Sequence, residues 1–220
     1  MRIGFVHMSH VLTERFRTAM TNRHSQADCF HILNEGLLQS LRRGVPRSEV
    51  YRRVVAQLLL AVDEGADLVV VTSSSISPAV DLARSLTPIP LLKIDDPMAA
   101  EAVRLGRRIV VICTNTSTPG PSANLLRQHA AAQGREVIVE TIVRPEAFTA
   151  LFAGDRARHD DILIEAAREA LPRADVLVLA QGSLADLQPA LEKLGKPVLS
   201  SPRLLMNELG RRLAPESVEV

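Results

Sequence analysis

Ala66–Leu92 reads ADLVVVTSSSISPAVDLARSLTPIPLL, and Ala174–Leu199 reads ADVLVLAQGSLADLQPALEKLGKPVL. Each opens on Ala-Asp, runs through an apolar stretch and breaks at a polar turn. Each then continues with Ala and Leu at helical spacing and closes on a short apolar run led by proline. Further out, RIGFVHMSH from Arg2 aligns with RIVVICTNT from Arg108 at nearly the same offset. One βα pattern therefore occurs twice in the chain. The repeat predicts two similar lobes facing each other across a cleft where their polar turns meet. It sets Ser73 opposite Gln181 and His7 opposite Cys113.

The runs VVV and VLVL are apolar at every position, as strands covered on both faces should be. Strands are expected at 2–7, 28–33, 67–72, 90–94, 108–113, 136–142, 175–180 and 197–199. Helices fall between them, the clearest at 47–64, 97–105, 119–133, 156–171 and 202–213. Strand–helix alternation of this kind specifies parallel sheets with right-handed crossovers. The expected fold is α/β, with two pseudo-symmetric lobes, each a four-stranded parallel sheet flanked by helices. The first lobe is expected to take residues 1–95 and 202–220, the last helix returning to it, and the second 96–201. Ser77-Pro78, Asp96-Pro97, Thr118-Pro119 and Ser201-Pro202 each read as a capping side chain before a proline that opens a helix. Ligands of open α/β sheets bind beyond the carboxyl ends of the strands. Helix N-termini there suit an anion such as a carboxylate.

Composition narrows the function classes. The chain has 220 residues, 46% of them hydrophobic, with no Trp, one Tyr and five Phe. The core must therefore be built from Ala, Val, Leu and Ile. Basic and acidic residues nearly cancel, at 26 against 25, which leaves no electrostatic footprint for nucleic acid. Arg42, Arg43, Arg47, Arg52 and Arg53 cluster, but Glu49 interrupts them, as on a solvated helix face. Only Cys29 and Cys113 are present, so no disulfide framework is suggested and a reducing compartment fits. No apolar run reaches the roughly 18 residues of a membrane span, and the first residues lead straight into a strand. The expectation is a cytoplasmic protein without a membrane partner. There is no Walker A, GxGxxG, HExxH or CxxC pattern, and nothing calls for a nucleotide or a metal.

Four groups of residues are candidates for chemistry. Thr72-Ser73-Ser74-Ser75 crowds hydroxyls and N–H groups at a strand end, where they bind carboxylate oxygens or simply cap a helix. Cys113-Thr114-Asn115-Thr116-Ser117-Thr118 repeats the arrangement. Its cysteine is either an activated thiol or a small buried hydrophobe. Gln181-Gly182-Ser183 combines a hydrogen-bonding amide with a permissive glycine; Gln181 cannot act as a base at neutral pH. Among the histidines, His7 and His10 flank the first strand end and His31 lies near the second. His159 reads as a residue on an exposed helix face. Imidazole is the general base that serine and glutamine cannot be, and His7 is the best placed of the four.

Read together, HILNEGLL at His31, GADLVVVTSSSISPAVDLAR at Gly65, IPLLKIDDPMAAEAV at Ile89 and GRRIVVICTNTSTPGPSANLL at Gly106 resemble the aspartate/glutamate/hydantoin racemase superfamily. The resemblance continues through EAFTALFAGDRARHD at Glu146, VLVLAQGSLADL at Val176 and PVLSSPRLL at Pro197, and so covers essentially the whole chain. It implies the same pair of lobes, no cofactor, and commonly a homodimer. In the well-known racemases two cysteines flank the substrate's α-carbon; one thiolate removes the proton and the other thiol returns it. By position those cysteines correspond to Ser73 and Gln181. The carboxylate-binding turns correspond to Ser74, Ser75, Thr114 and Thr118, with Asn115, Gly182 and Ser183 beside them. The branch most similar to this chain typically has cysteine at the first position, in a TCSS-type turn, and glutamine at the second. Asn34 stands where relatives often have an acid.

The departures bear on the reaction. A serine hydroxyl is far too weak an acid to replace a thiolate without a strong partner. Three readings are compatible with Ser73. It replaces the cysteine of a one-thiol enzyme; it is natural, with a histidine such as His7 or Cys113 taking over acid–base work; or the chain binds a small acid without turning it over. A one-thiol site suits decarboxylation with stereospecific protonation, or isomerisation, as in the arylmalonate decarboxylases and maleate isomerases of the superfamily. The resemblance thus implies a racemase- or isomerase-like protein acting on a small carboxylate or hydantoin-like substrate, with a lyase or a non-catalytic binding protein as alternatives.

Overall fold

A computed structural model describes residues 1–214. In chain order the elements are β1 (Arg2–His7), α1 (His10–Arg23), β2 (Asp28–Leu33), α2 (Glu35–Arg42), α3 (Arg47–Asp63), β3 (Leu68–Val71), α4 (Pro78–Ala83) and β4 (Leu91–Lys93). They continue with α5 (Asp96–Leu105), β5 (Arg108–Cys113), α6 (Pro119–Ala132), β6 (Ile138–Val143), α7 (Pro145–Phe152), α8 (Arg156–Ala170), β7 (Val176–Leu179), α9 (Gln188–Glu192), β8 (Val198–Ser200) and α10 (Ser201–Leu213). The strands form two four-stranded, all-parallel sheets, ordered β2-β1-β3-β4 and β6-β5-β7-β8. The expected α/β architecture of two helix-flanked sheets is therefore present. The chain divides into a unit of residues 1–94 with the stretch from Met206, and a unit of Asp95–Leu205. The boundary falls inside α10. Residues 215–220, assigned above to the first lobe, lie outside the described residues.

The repeat is backbone-deep. Ile3 pairs with Leu68 as Ile109 pairs with Val176. Counting on to the strand ends brings Thr72 to the place of Ala180 and Ser73 to the place of Gln181. The entry to each sheet is also built twice: Asp67 Oδ2 accepts the Arg2 N–H at 2.6 Å, and Asp175 Oδ2 accepts the Arg108 N–H at 2.8 Å. β3 and β7 are buried at every position, as their unbroken apolar runs require. In the first unit Val6, Val69 and Val71 pack with Val50, Val54 and Leu58 of α3. In the second, Ile112, Leu177 and Leu179 pack with Leu163, Ala166 and Ala170 of α8, while Ile109, Val111 and Val178 pack on the other face with α5 and α6. Each fully buried Val or Leu contributes roughly 1.5–3 kcal/mol over its exposed state. Among the described residues, no helix is long and apolar enough to cross a membrane.

The helix starts differ from the expectation in one respect. Proline does open α4, α5 and α6, but Ser77, Asp95 and Thr118 at their N-caps make no capping hydrogen bond from the side chain. Asp96 lies inside α5 rather than at its cap. The reason is local backbone: all three N-cap residues are already helical in φ and ψ, whereas a capping side chain needs an extended residue to reach back to the N–H groups. Ser77 Oγ donates instead to Ser73 O at 3.1 Å. Ser201 is the first residue of α10, and its hydroxyl donates to Asp95. A side-chain cap does form at Asp155, which accepts the Arg158 N–H at the start of α8.

Candidate functional site

In the first unit the residues of interest stand at the carboxyl ends of β1 and β3. His7 closes β1 and is wholly buried. Its Nδ1 lies 2.7 Å from Thr72 Oγ1 and its Nε2 lies 2.9 Å from His31 Nδ1. Both ring nitrogens are thus taken up within the protein. The ring stacks on Phe5 at 6.0 Å, and Phe5 in turn stacks on His31 at 5.1 Å. Burial, then His31, then Arg17 push the His7 pKa down to about 3, so the ring is neutral at physiological pH. Burial and Arg17 lower His31 as well, against a smaller opposing effect of Glu14. Ser73, Ser74 and Ser75 follow Thr72 as a half-buried turn. The Ser73 and Ser74 carbonyls accept the Ile76 and Ser77 N–H groups, each at 3.3 Å, which bends the chain into α4.

In the second unit the equivalent strand ends bring Thr114 and Gln181 together. The Thr114 N–H and hydroxyl both donate to Gln181 Oε1, at 2.5 and 3.1 Å. Two converging donors on one carbonyl oxygen are what a carboxylate oxygen would find there. Asn115 Oδ1 accepts from the N–H and the hydroxyl of Ser117, each at 3.0 Å, and the Thr118 N–H donates to Asn115 O. This turn delivers the chain to α6, where the buried Ser122 hydroxyl has no protein partner. Gly182 and Ser183 open a 3₁₀ turn after β7. Cys113 is fully buried, with Sγ 3.8 Å from Ile142 O, and burial alone pushes its pKa up to about 12. Of its two sequence readings, the small buried hydrophobe is the one this environment matches.

The remaining candidates separate from these turns. His10 begins α1 on the surface. His159 is a correction: it is wholly buried, not on an exposed helix face. Its Nδ1–H donates to Asp160 Oδ1 at 2.6 Å, and its Nε2 is buried without a hydrogen-bond partner. A groove of about 550 Å³ lies beside α7 and α8, lined by Arg144, Arg158, Arg168, Glu146, Asp161 and Glu165 among others. It holds none of the expected residues, and its arginines alternate with as many acids. Thr72 and His31 join His7 in the fold, a grouping that residue types alone do not report. Parallel pairing places His31 beside Phe5, on the face that Phe5 and His7 share through strand alternation; that register is the missing signal.

Functionally curated proteins give no significant match. Among solved structures, glutamate racemase from Aquifex pyrophilus superposes with a TM-score of 0.69 at 20% identity, over 97% of this chain and 84% of that one. Allantoin racemase from Klebsiella pneumoniae gives 0.66 at 18% identity, over 96% and 88%. Arylmalonate decarboxylase gives 0.59 at 17% identity, over 98% and 93%. At these identities the likeness is one of fold. The family model described as Asp/Glu/Hydantoin racemase matches residues 7–209. That match spans most of the chain, which belongs to the Asp/Glu/hydantoin racemase family.

Proposed function

We propose that this protein is a cofactor-independent racemase- or isomerase-like member of its family, acting on a small carboxylate or hydantoin-like substrate. Ser73 stands at the position of the first catalytic thiol and Gln181 at that of the second. Ser74, Ser75, Thr114, Asn115, Thr118, Gly182 and Ser183 supply hydroxyl and backbone donors for the substrate, and His7 carries a proton. The observation that carries this reading is the pair of Thr114 donors converging on one carbonyl oxygen, that of Gln181. A substrate carboxylate exchanging places with the Gln181 amide finds donors already aligned. Racemases of glutamate and of allantoin, a hydantoin, share the fold, which supports both substrate classes.

Decarboxylation is the second reading. With Gln181 at the second position, a cysteine in place of Ser73 would give a one-thiol site that serves one face of an α-carbon only. A decarboxylase needs to protonate one face only, and arylmalonate decarboxylase shares the fold. Proton NMR in D₂O tests both readings on this protein and its Ser73→Cys variant. The panel is amino acids, hydantoins, 2-hydroxy acids and substituted malonates. Loss of the α-proton signal in the variant alone supports Ser73 at the thiol position, and loss of malonate with release of CO₂ supports the lyase. Silence of both proteins across the panel counts against an enzymatic role on these substrates.

A further inference from the structure

The first unit contains a buried polar chain that the second unit lacks. His31 Nδ1, His7 Nε2, His7 Nδ1 and Thr72 Oγ1 follow one another at hydrogen-bond distance, and the Thr72 hydroxyl also lies 3.2 Å from Val6 O. The register-equivalent positions of the second unit are Thr141, Cys113 and Ala180. The same strand order and the same pairing therefore form there without either imidazole. Buried polar groups are costly unless satisfied. The second unit shows that the fold does not require this chain, so its presence calls for a functional account.

Two hydrogen arrangements satisfy the chain. In one, His31 Nδ1–H donates to His7 Nε2, His7 Nδ1–H donates to Thr72 Oγ1, and the Thr72 hydroxyl donates to Val6 O. In the other, the Thr72 hydroxyl donates to His7 Nδ1, His7 Nε2–H donates to His31 Nδ1, and His31 carries its hydrogen on Nε2. The two differ in which nitrogen of each ring carries hydrogen and in whether the Thr72 hydroxyl points to Val6 O or to His7 Nδ1. No net charge stays inside, which suits a wholly buried ring between Phe5 and Phe16. The outer member, His31, is half-buried on β2, the edge strand of its sheet, with Arg17 and Glu14 of α1 as the charged groups acting on it. The inner member, Thr72, is bonded directly to Ser73.

We propose that His31 is a positioning residue for the Ser73 turn: it fixes which nitrogen of His7 carries hydrogen, and through His7 it sets the direction of the Thr72 hydroxyl next to Ser73. The functional half of this statement rests on the reading of Ser73 as the reacting position. Long-range ¹H–¹⁵N NMR of the imidazoles tests the chain itself, on the full protein and on His31→Phe, which keeps the ring on Phe5 but removes Nδ1. Thr72→Val cuts the chain from the other end and serves should His31→Phe not fold. A change of the His7 tautomer signature in either variant is the expected result; unchanged His7 nitrogens in both overturn the proposal. In a Ser73→Cys protein that turns over a panel substrate, His31→Phe should lower kcat about tenfold or more, with KM little changed and the pH profile displaced. An unaltered kcat and profile there overturn it. Coupled rings in a silent Ser73→Cys protein count against the Ser73 reading and support the hydrogen-bonded chain alone.

Discussion

Thr114 is the residue on which the proposed recognition depends most. It gives both an N–H and a hydroxyl to one oxygen of Gln181. Replacing Thr114 by Val keeps the shape and the backbone donor but removes the hydroxyl. Binding of a small carboxylate should weaken by about tenfold or more, since a charged acceptor loses one of its donors; equal affinity by calorimetry would remove Thr114 from the site. His7 makes a prediction about pH. Its folded pKa, near 3, lies below the ordinary value of 6.5. Between those values the unfolded chain takes up a proton that the folded chain refuses. The His7 contribution to stability should therefore be flat above pH 6.5 and fall by up to roughly 1.4 kcal/mol per pH unit between 6.5 and about 3. Denaturant midpoints across that range in His7→Gln should show a shallower fall; an identical slope would mean that other groups set the acid limb. The importance of these residue types was legible in the chain, because hydroxyls after an apolar run mark a strand end. Their partners were not: nothing in a single sequence reports that Gln181 folds back onto Thr114, or that His31 pairs with His7.

Among the elements, the strands were the most legible. An unbroken apolar run has one stable place in an α/β protein, and β1, β2 and β5 begin and end as expected. β3, β4 and β7 each lose a residue at both ends because side-chain pattern outlasts the ladder, while β6 and β8 start later than expected and run one residue further. Thr72 still donates its N–H to Val6 O, although the strand ends at Val71. Caps were less legible, since they depend on φ and ψ rather than on residue type. His159 could have been placed: with Leu163, Ala166, Ala167 and Ala170 it lies on one helical stripe, and that stripe is the buried face of α8. The entry to β5 offers a test of element geometry. Gly106 comes so near Asp175 that an added Cβ would collide with the Asp175 Cβ. Asp175 Oδ2 also accepts the Arg107 and Arg108 N–H groups, which hold its carboxyl below the usual range. Gly106→Ala must push β7 away from β5 and should cost roughly 1–3 kcal/mol in denaturant unfolding. A variant as stable as the parent would show that this junction is not tight.

At the scale of the whole molecule, two units carry one strand order and one pairing scheme, and the chemistry differs between them. The duplication was readable because both copies kept the same punctuation: Ala-Asp, an apolar run, a polar turn, a proline-led strand. The reaction was not readable, because on the proposed reading it turns on two side chains, the hydroxyl of Ser73 and the amide of Gln181. The first unit holds a chain of imidazoles behind its turn; the second holds a buried thiol and an alanine. The central claim is that Ser73 and Gln181 stand where a family member acting through two thiols keeps its cysteines. Its most direct test is the Ser73→Cys/Gln181→Cys double variant in D₂O, with single-enantiomer amino acids and hydantoins, followed by α-proton NMR and optical rotation together. The account predicts that the double variant exchanges the α-proton with loss of optical activity, while Ser73→Cys alone exchanges it with retention. A folded double variant that binds a panel substrate yet neither exchanges nor racemises it would contradict the placement of both residues.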